Sequence, residues 1–157
     1  MAMTPSEPMV TIRVQSEDFD AGREVALLAE GRRDVGGIVS FTGYCRDEGG
    51  TLAALELEHY PGMAEEELSR LAETALERWP LFGITIVHRY GRIAPGAQIV
   101  LVACSSAHRR AAFEAADFLM DFLKSRAPFW KKEHRVDGTS GDWVEAKASD
   151  DADLRRW

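Results

Sequence analysis

The sequence predicts a single α+β domain with mostly antiparallel strands and about three helices. Several short stretches alternate apolar and polar residues or are continuously apolar, while longer segments carry apolar residues at helical spacing. The 157 residues suit one domain, which at this size buries roughly 70% of its unfolded surface. The chain contains no repeat, low-complexity tract or linker. We therefore expect residues 1–157 to form one domain, with residues 1–8 and 149–157 as loosely held tails.

The first part of the chain predicts a strand, a short helix and a pair of strands. Met9–Gln15 alternates apolar and polar residues, and Asp20 can cap a helix that ends at Gly31. Residues 35–43 and 52–60 each predict a strand, and two adjacent glycines lie in the loop between them. This arrangement predicts that the two strands pair as a long hairpin.

The middle of the chain predicts a second helix and two further strands. Pro61 fits the first turn of the helix, and Pro80 ends it. An apolar stripe at helical spacing is formed by Leu68, Leu71, Ala72, Ala75, Leu76 and Trp79. Residues 84–88 alternate as a strand, residues 92–96 predict a turn, and residues 98–104 are nearly all apolar, as in a strand buried on both faces.

A third helix is predicted from about residue 107 to Arg126, and two closing strands follow it. Its apolar stripe consists of Phe113, Ala116, Met120 and Leu123. Pro128 ends this helix, because the residue before a proline is pushed out of the helical region. Residues 129–136 and 143–147 predict strands on either side of a turn. On the first of them, alternation places on one face Phe129, Lys131 and Glu133.

Charge and cysteine usage exclude several classes of protein. The net charge is −7, which disfavours a general nucleic-acid binder, but residues 108–135 carry about +3 and suit a small anionic ligand or an anionic tail. Cys45 and Cys104 form no Cys/His cluster, so we expect no disulfide, no metal site, no resident cofactor and a reducing compartment. No long apolar run is present, which predicts a cytoplasmic protein without a membrane segment.

The lysines are concentrated in one segment. The chain has four lysines against fifteen arginines, and three of the four lie within nine residues, at positions 124, 131 and 132. Arg stays protonated, whereas the pKa of Lys can be tuned for proton transfer or nucleophilic attack. The segment is therefore a candidate catalytic site. The alternatives are ordinary helix C-terminal charge for Lys124 and a structural ion pair between Lys131 and Glu133.

The start of the third helix is a candidate anion site. His108, Arg109 and Arg110 lie where the helix dipole disfavours cations, and a bound anion would reverse that effect. A solvated helix start with flexible side chains is the alternative. His108 and Lys124 are 16 residues apart, which is about 24 Å along a helix, so one site that uses both requires a break in the helix or is shared between two subunits of a symmetric dimer, and we expect the shared site. His59 and His88 are expected to be ordinary core or hydrogen-bonding residues.

Four motifs carry a resemblance to a known family. They are Phe41-Thr42-Gly43-Tyr44-Cys45-Arg46, Leu57-Glu58-His59-Tyr60-Pro61-Gly62-Met63, Ser106-Ala107-His108-Arg109, and the run from Leu123 to Glu133, extended by Trp143-Val144-Glu145-Ala146. In order and spacing, over roughly residues 9–147, the chain resembles the large, catalytic subunits of molybdopterin synthase. The resemblance implies an α/β-hammerhead domain that forms a homodimer within a heterotetramer. A small ubiquitin-like sulfur carrier, with a C-terminal Gly-Gly thiocarboxylate, would dock on each large subunit.

The resemblance also implies a reaction and a set of site residues. Sulfur would pass twice from the carrier to cyclic pyranopterin monophosphate, which makes the molybdopterin dithiolene. By motif position, Lys124 and Lys131 correspond to the catalytic lysines. The residues expected near the pterin phosphate and the carrier tail are Arg46, His108, Arg109, Lys132 and Glu133, with the backbone of Tyr44 and Cys45. A non-catalytic module that binds an anionic tail or a nucleotide in a basic pocket is the alternative function.

Two positions depart from the family pattern. Cys45 stands where an aliphatic residue is expected before Arg46, and Asp142 stands where many members have a basic residue before Trp143. We expect the first change to affect packing only. The second leaves one anion contact either absent or supplied by Arg110 or Lys132.

Overall fold

In the computed structural model, residues 7–126, 128–144 and 154–157 are described. Within them the chain forms seven strands, three α-helices and one 3₁₀ turn. In chain order the elements are β1 (Met9–Gln15), α1 (Ala21–Leu27), β2 (Gly37–Tyr44), β3 (Leu52–His59), α2 (Met63–Arg78), β4 (Leu81–Arg89), β5 (Gly91–Ile93), β6 (Gln98–Ser106), α3 (Arg109–Arg126), β7 (Phe129–Arg135) and the turn Leu154–Arg156.

The strands form two sheets. A four-stranded sheet has the order β1-β4-β6-β2, and a three-stranded sheet has the order β5-β3-β7. The pair β1 and β4 is parallel, and the other named pairs are antiparallel. The predicted α+β class, with mostly antiparallel strands and three helices, is therefore confirmed. That residues 1–157 form a single domain stays a prediction.

The predicted hairpin between the second and third strands is wrong. β2 pairs along its length with β6, from Gly37 opposite Ser106 to Tyr44 opposite Gln98. β3 lies in the other sheet between β5 and β7. The loop between β2 and β3 therefore crosses from one sheet to the other. Alternation within a strand reports which face is buried but carries no information on the partner strand, and the adjacency of the two segments in sequence was misleading.

The predicted turn at residues 92–96 contains a short strand. Gly91–Ile93 forms β5, which pairs with Leu55–Leu57 of β3, and the turn follows at Gly96, which has a φ of 88°. Ile93 is buried with Cys45 and Leu57 in a small core under the three-stranded sheet. Three residues are too short to show an alternation, so the sequence could not separate this strand from a turn.

The main core lies between helices α2 and α3 and the four-stranded sheet. The buried face of α3 differs from the predicted stripe, because Phe113 is 60% exposed. Small residues form this face where the helix approaches β6 and β2, and they are Ala111, Ala112, Ala115 and Ala116. Alanines permit close approach of the helix to the sheet, so the large side chain is accommodated at the margin of the contact.

The end of the chain is packed against the helices. The Trp157 indole donates a hydrogen bond of 2.5 Å to the buried Asp121 carboxylate and stacks edge-on against Trp79 and Phe118. The Arg156 guanidinium binds Asp117 and Asp121. These contacts concern residues 156 and 157; that residues 1–8 and 149–157 are loosely held tails stays a prediction, and residues 1–6 and 149–153 lie outside the described part. None of the described helices is long and apolar enough to cross a membrane.

Candidate active site

The two candidate catalytic lysines lie on either side of a short connection. Lys124 is exposed in the last turn of α3, which ends at Arg126, and Lys131 lies within β7, which begins at Phe129. Pro128 is in this connection and restricts its conformation. The fold therefore places both amines within one segment at the C-terminal end of α3.

Lys131 lies in a strand that has neighbours on both edges. It pairs with Leu57 of β3, and on the other edge its N–H and C=O exchange bonds of 3.0 and 2.8 Å with Val144. Residues opposite each other in an antiparallel pair share a face, so Lys131 lies on the side of the buried Leu57. The predicted strand at residues 143–147 is present as this bridge at Val144, and residues 145–147 lie outside the described part.

Lys132 and Glu133 lie on opposite faces of β7. The Lys132 ammonium is 5.6 Å from the centre of the Trp143 ring, a cation–π distance. Lys132 is opposite Glu56, whose carboxylate is 2.7 Å from His134 Nε2. Glu133 is exposed and lies near enough to Cys45 for its charge to act on that thiol. These contacts give Lys132 an oriented position above an aromatic ring.

The Tyr44–Arg46 segment leaves the four-stranded sheet beside these strands. Burial is the main cause that raises the pKa of the Cys45 thiol, and the charges of Asp47 and Glu133 raise it further. The Cys45 N–H donates to Ala97 O at 2.8 Å, and its carbonyl accepts from Gly96 N at 2.7 Å. Cys45 is therefore a packing residue, and its N–H already donates a hydrogen bond within the chain. Arg46 is exposed and ion-paired with Glu48, and Tyr44 is exposed.

An aromatic stack missed by the sequence analysis lies under the lysine segment. The rings of His88 and Phe129 are parallel within 13°, with centroids 3.8 Å apart. Phe129 also stacks on His59 at 5.9 Å, and His59 contacts Tyr90 at 4.4 Å. Alternation placed His88 and Phe129 in strands correctly but could not show that two separate strands bring these rings together.

His88 is neutral over the physiological pH range. The pKa of His88 is lowered from 6.5 to about 4, mainly because the ring is removed from water and also by the nearby positive charge of Lys124, against the opposing effect of the Arg89 carbonyl. His88 Nδ1 is 2.8 Å from that carbonyl, so this nitrogen carries the proton and donates it. The Lys124 amine therefore lies close enough to the stack to affect its charge state.

The candidate residues His108 and Arg109 line a surface cavity at the start of α3. The cavity has a volume of about 530 Å³ and is lined by Gly36, Ala107, His108, Arg109, Arg110, Phe113 and Glu114. The side chains of His108 and Arg109 are exposed, and Arg110 approaches Glu114 at 3.8 Å. The first turn of α3 contains no acidic residue. This end of the helix therefore presents cations together with unpaired helix N–H groups, a combination that suits an anion.

The predicted site residues fall into two groups at opposite ends of α3. α3 is continuous from Arg109 to Arg126, so His108 and Lys124 are about 24 Å apart along its axis. The β2–β6 register places Gly37 at the His108 end and Tyr44 at the other. One chain therefore brings Lys124 to the same end as the Tyr44–Arg46 segment, and it does not bring His108 and Arg109 to that end.

Comparisons with known proteins agree on one family. The model of the MoaE protein family matches residues 14–126. The molybdopterin synthase catalytic subunit of Mesorhizobium japonicum is 65% identical over 147 residues, which cover 94% of this chain and 92% of that protein. The one from Brucella melitensis is 60% identical over 153 residues, covering 98% of this chain and 93% of that protein.

Solved structures give the same result. The molybdopterin biosynthesis MoaE protein from Burkholderia ambifaria has a TM-score of 0.82 at 48% identity, covering 95% of this chain and 98% of that one. Molybdopterin synthase from Staphylococcus aureus has a TM-score of 0.73 at 31% identity, covering 91% and 98%. The resemblance found in the four sequence motifs is thus confirmed. Since the family model spans most of the chain and the relatives align along nearly all of it, the chain belongs to the MoaE protein family.

Proposed function

We propose that this chain is the catalytic subunit of a molybdopterin synthase, a sulfurtransferase of molybdenum cofactor biosynthesis. It takes sulfur from the C-terminal thiocarboxylate of a small carrier subunit and transfers it, in two rounds, to cyclic pyranopterin monophosphate. Each round leaves the carrier tail as a carboxylate. The observation that carries the proposal is the placement of Lys124 and Lys131 on either side of one short connection, in a chain 65% identical to a named catalytic subunit.

The two lysines have different surroundings, which supports different roles. Lys124 is exposed at a helix end, where its amine can reach a substrate and move a proton during opening of the cyclic phosphate. Lys131 is partly buried, and its backbone is fixed by two hydrogen bonds to Val144 in a strand that pairs with β3 on its other edge, which suits an anchor or a transient acyl acceptor for the carrier tail. Lys132 and Glu133 flank Lys131 and complete the tail site.

The two anions of the reaction need cations from both ends of α3. Arg46 lies at the Lys124 end and suits the thiocarboxylate or the phosphate. His108 and Arg109 line the cavity at the other end and suit the phosphate. Because one helix separates the two groups, we propose that each site takes its lysines from one subunit and His108 and Arg109 from the partner.

Strand β2 supplies a way to build such a shared site. It is an edge of the four-stranded sheet, and its Phe41 is 43% exposed. If the β2 strands of two copies paired antiparallel about a two-fold axis, the Gly37 end of one would lie against the Tyr44 end of the other. That pairing brings the His108 end of one α3 toward the Lys124 end of its partner, without any break in either helix.

Reconstitution tests the chemistry. The chain is mixed with thiocarboxylated carrier and the pyranopterin phosphate, and the dithiolene product is assayed. We expect Lys124→Ala and Lys131→Ala, and also both Lys→Arg variants, to lose activity by about a hundredfold or more, because Arg supplies charge without proton transfer. A module that only binds an anion would tolerate Arg at both positions. Product formation by the Arg variants at the wild-type rate therefore contradicts the catalytic assignment.

Mixing two inactive variants tests the shared site. After subunit exchange between Lys124→Ala and His108→Ala dimers, half of the dimers are mixed and each has one intact site, so about a quarter of wild-type activity is expected. Sites contained within one chain would regain none. The control is each variant taken through the same exchange procedure with itself. Sedimentation of a stable monomer at assay concentration would contradict the dimer.

We further propose that the chain acts in the cytoplasm. Both cysteines are free and buried, which suits a reducing compartment. Fractionation of cells that express the tagged chain tests this location, and recovery of active protein outside the cytoplasmic fraction contradicts it.

A further inference from the structure

The His88–Phe129 stack joins the two sheets directly beneath the lysine segment. His88 belongs to β4 of the four-stranded sheet and pairs with Val100, whereas Phe129 begins β7 of the three-stranded sheet and pairs with His59. The two rings lie face to face, 3.8 Å apart. This contact thus fixes the lysine-bearing strand of one sheet against the last residues of a strand in the other.

Phe129 is also placed between the two amines in sequence. It follows Lys124 by five residues and precedes Lys131 by two, with Pro128 directly before it. The connection is short and its proline restricts the backbone, so the position of the Phe129 ring determines where α3 ends relative to β7.

We propose that His88 and Phe129 are positioning residues of the sulfur-transfer site, and that their stack sets the separation and orientation of Lys124 and Lys131. This inference rests on the proposed function, because it assigns the stack to the site of that reaction. Catalysis by two groups held on one substrate is sensitive to displacements of about 1 Å, which can cost up to about a hundredfold in rate. A stack that bridges the two sheets supplies the required rigidity.

The charge state of His88 is consistent with this role. Its Nδ1–H is fixed on the Arg89 carbonyl, and the ring has a desolvated position next to the positive charge of Lys124. A neutral ring can stack closely under Phe129 without repelling that amine. The positioning depends on ring shape and not on a proton of His88, and this distinction can be tested by substitution.

Four variants and one control test the proposal. Phe129→Leu and His88→Ala remove the stack, Phe129→Tyr and His88→Phe keep it, and Leu28→Ala opens a cavity near Gly83, at the opposite end of β4 from His88. Activity is measured as kcat and as KM for the carrier. We expect the stack-removing variants to lose about tenfold to a hundredfold in kcat with KM changed less than about threefold, and the stack-keeping variants to stay within about threefold of wild type.

A second readout does not depend on activity. A short amine-reactive cross-linker is added to the folded chain, and the yield of the Lys124–Lys131 link is measured by mass spectrometry. We expect that yield to fall several-fold when the stack is removed and to match wild type when it is kept. If the wild-type chain makes no dithiolene product, the proposed function fails, and the cross-link yields alone decide whether the stack positions the lysines.

Three results would overturn the proposal. The first is a wild-type kcat and cross-link yield in Phe129→Leu. The second is a loss in His88→Phe as large as in His88→Ala, which would assign the role to an imidazole nitrogen. The third is a loss of kcat in Leu28→Ala equal to that of Phe129→Leu at equal loss of thermal stability, which would make the effect a general consequence of destabilisation.

Discussion

Acidification is expected to destabilise this protein through His88. The perturbation is a change from about pH 7.5 to about pH 4.5, applied to wild type and to His88→Phe. The variant keeps a ring against Phe129 but cannot titrate. It also loses the hydrogen bond to the Arg89 carbonyl, a pH-independent cost of about 1 kcal/mol. The quantity of interest is therefore the difference between the two proteins in how stability changes with pH.

The magnitude follows from the folded-state pKa of His88. This pKa is lowered from 6.5 to about 4, mainly by burial of the ring and also by the positive charge of Lys124, against the opposing effect of the Arg89 carbonyl. The unfolded chain therefore binds a proton between these two values that the folded chain does not bind. Stability is unaffected above the unfolded pKa and falls as the pH decreases toward 4. Between about pH 7.5 and about pH 4.5, wild type should lose roughly 2.5 kcal/mol more than His88→Phe.

Urea unfolding at fixed protein concentration measures this difference. Free energies of unfolding are obtained at intervals of about half a pH unit, and the histidine ring is followed by NMR through the same range. All other ionisable groups are common to both proteins, so their contributions cancel in the difference. Equal pH dependence in the two proteins, or a ring that titrates near 6.5, would refute the reasoning that the stack is desolvated.

Three further predictions concern packing. Gly36→Ala should destabilise the fold by about 3 kcal/mol or more and reduce activity, because the added Cβ would lie 1.9 Å from the backbone carbonyl oxygen of Ala107, just before α3. Gly37→Ala should be tolerated, because no atom would lie closer than 3.9 Å to its Cβ. Thermal melts of both variants distinguish a steric conflict at residue 36 from a general intolerance of alanine. Trp157→Ala should lower the free energy of unfolding, measured with urea, by about 3 kcal/mol, because it removes contacts with two aromatic rings and the hydrogen bond to a buried carboxylate. An unchanged urea midpoint would show that the packing of Trp157 does not stabilise the fold. Cys45 and Cys104 should resist iodoacetamide at about pH 8 until urea is added, because burial raises both thiol pKa values, that of Cys104 to about 12; rapid alkylation of the folded chain would contradict this.

The sequence alone determined most of the elements and the family. Periodicity located β1, α2 and α3, because each is long enough for its apolar pattern to repeat, and a nearly continuous apolar run located β6. The concentration of lysines in one segment, together with the motifs around them, identified the family that the comparisons confirmed. The length of one helix also determined that His108 and Lys124 lie far apart, because helical rise per residue is fixed.

Only the tertiary structure decided which elements meet. The partner of β2 is β6 and not β3, which follows it in sequence. The sequence could not show this, because any two strands can form backbone hydrogen bonds and alternation within a strand does not specify the partner strand. The same reason hid the contact of His88 with Phe129, two rings from different sheets. Phe113 was assigned to the core by spacing, yet the alanine face of α3 packs instead, since close packing depends on the shape of both surfaces. Residue types and spacing are local properties that the sequence states directly, whereas contacts between distant segments exist only once the chain has folded.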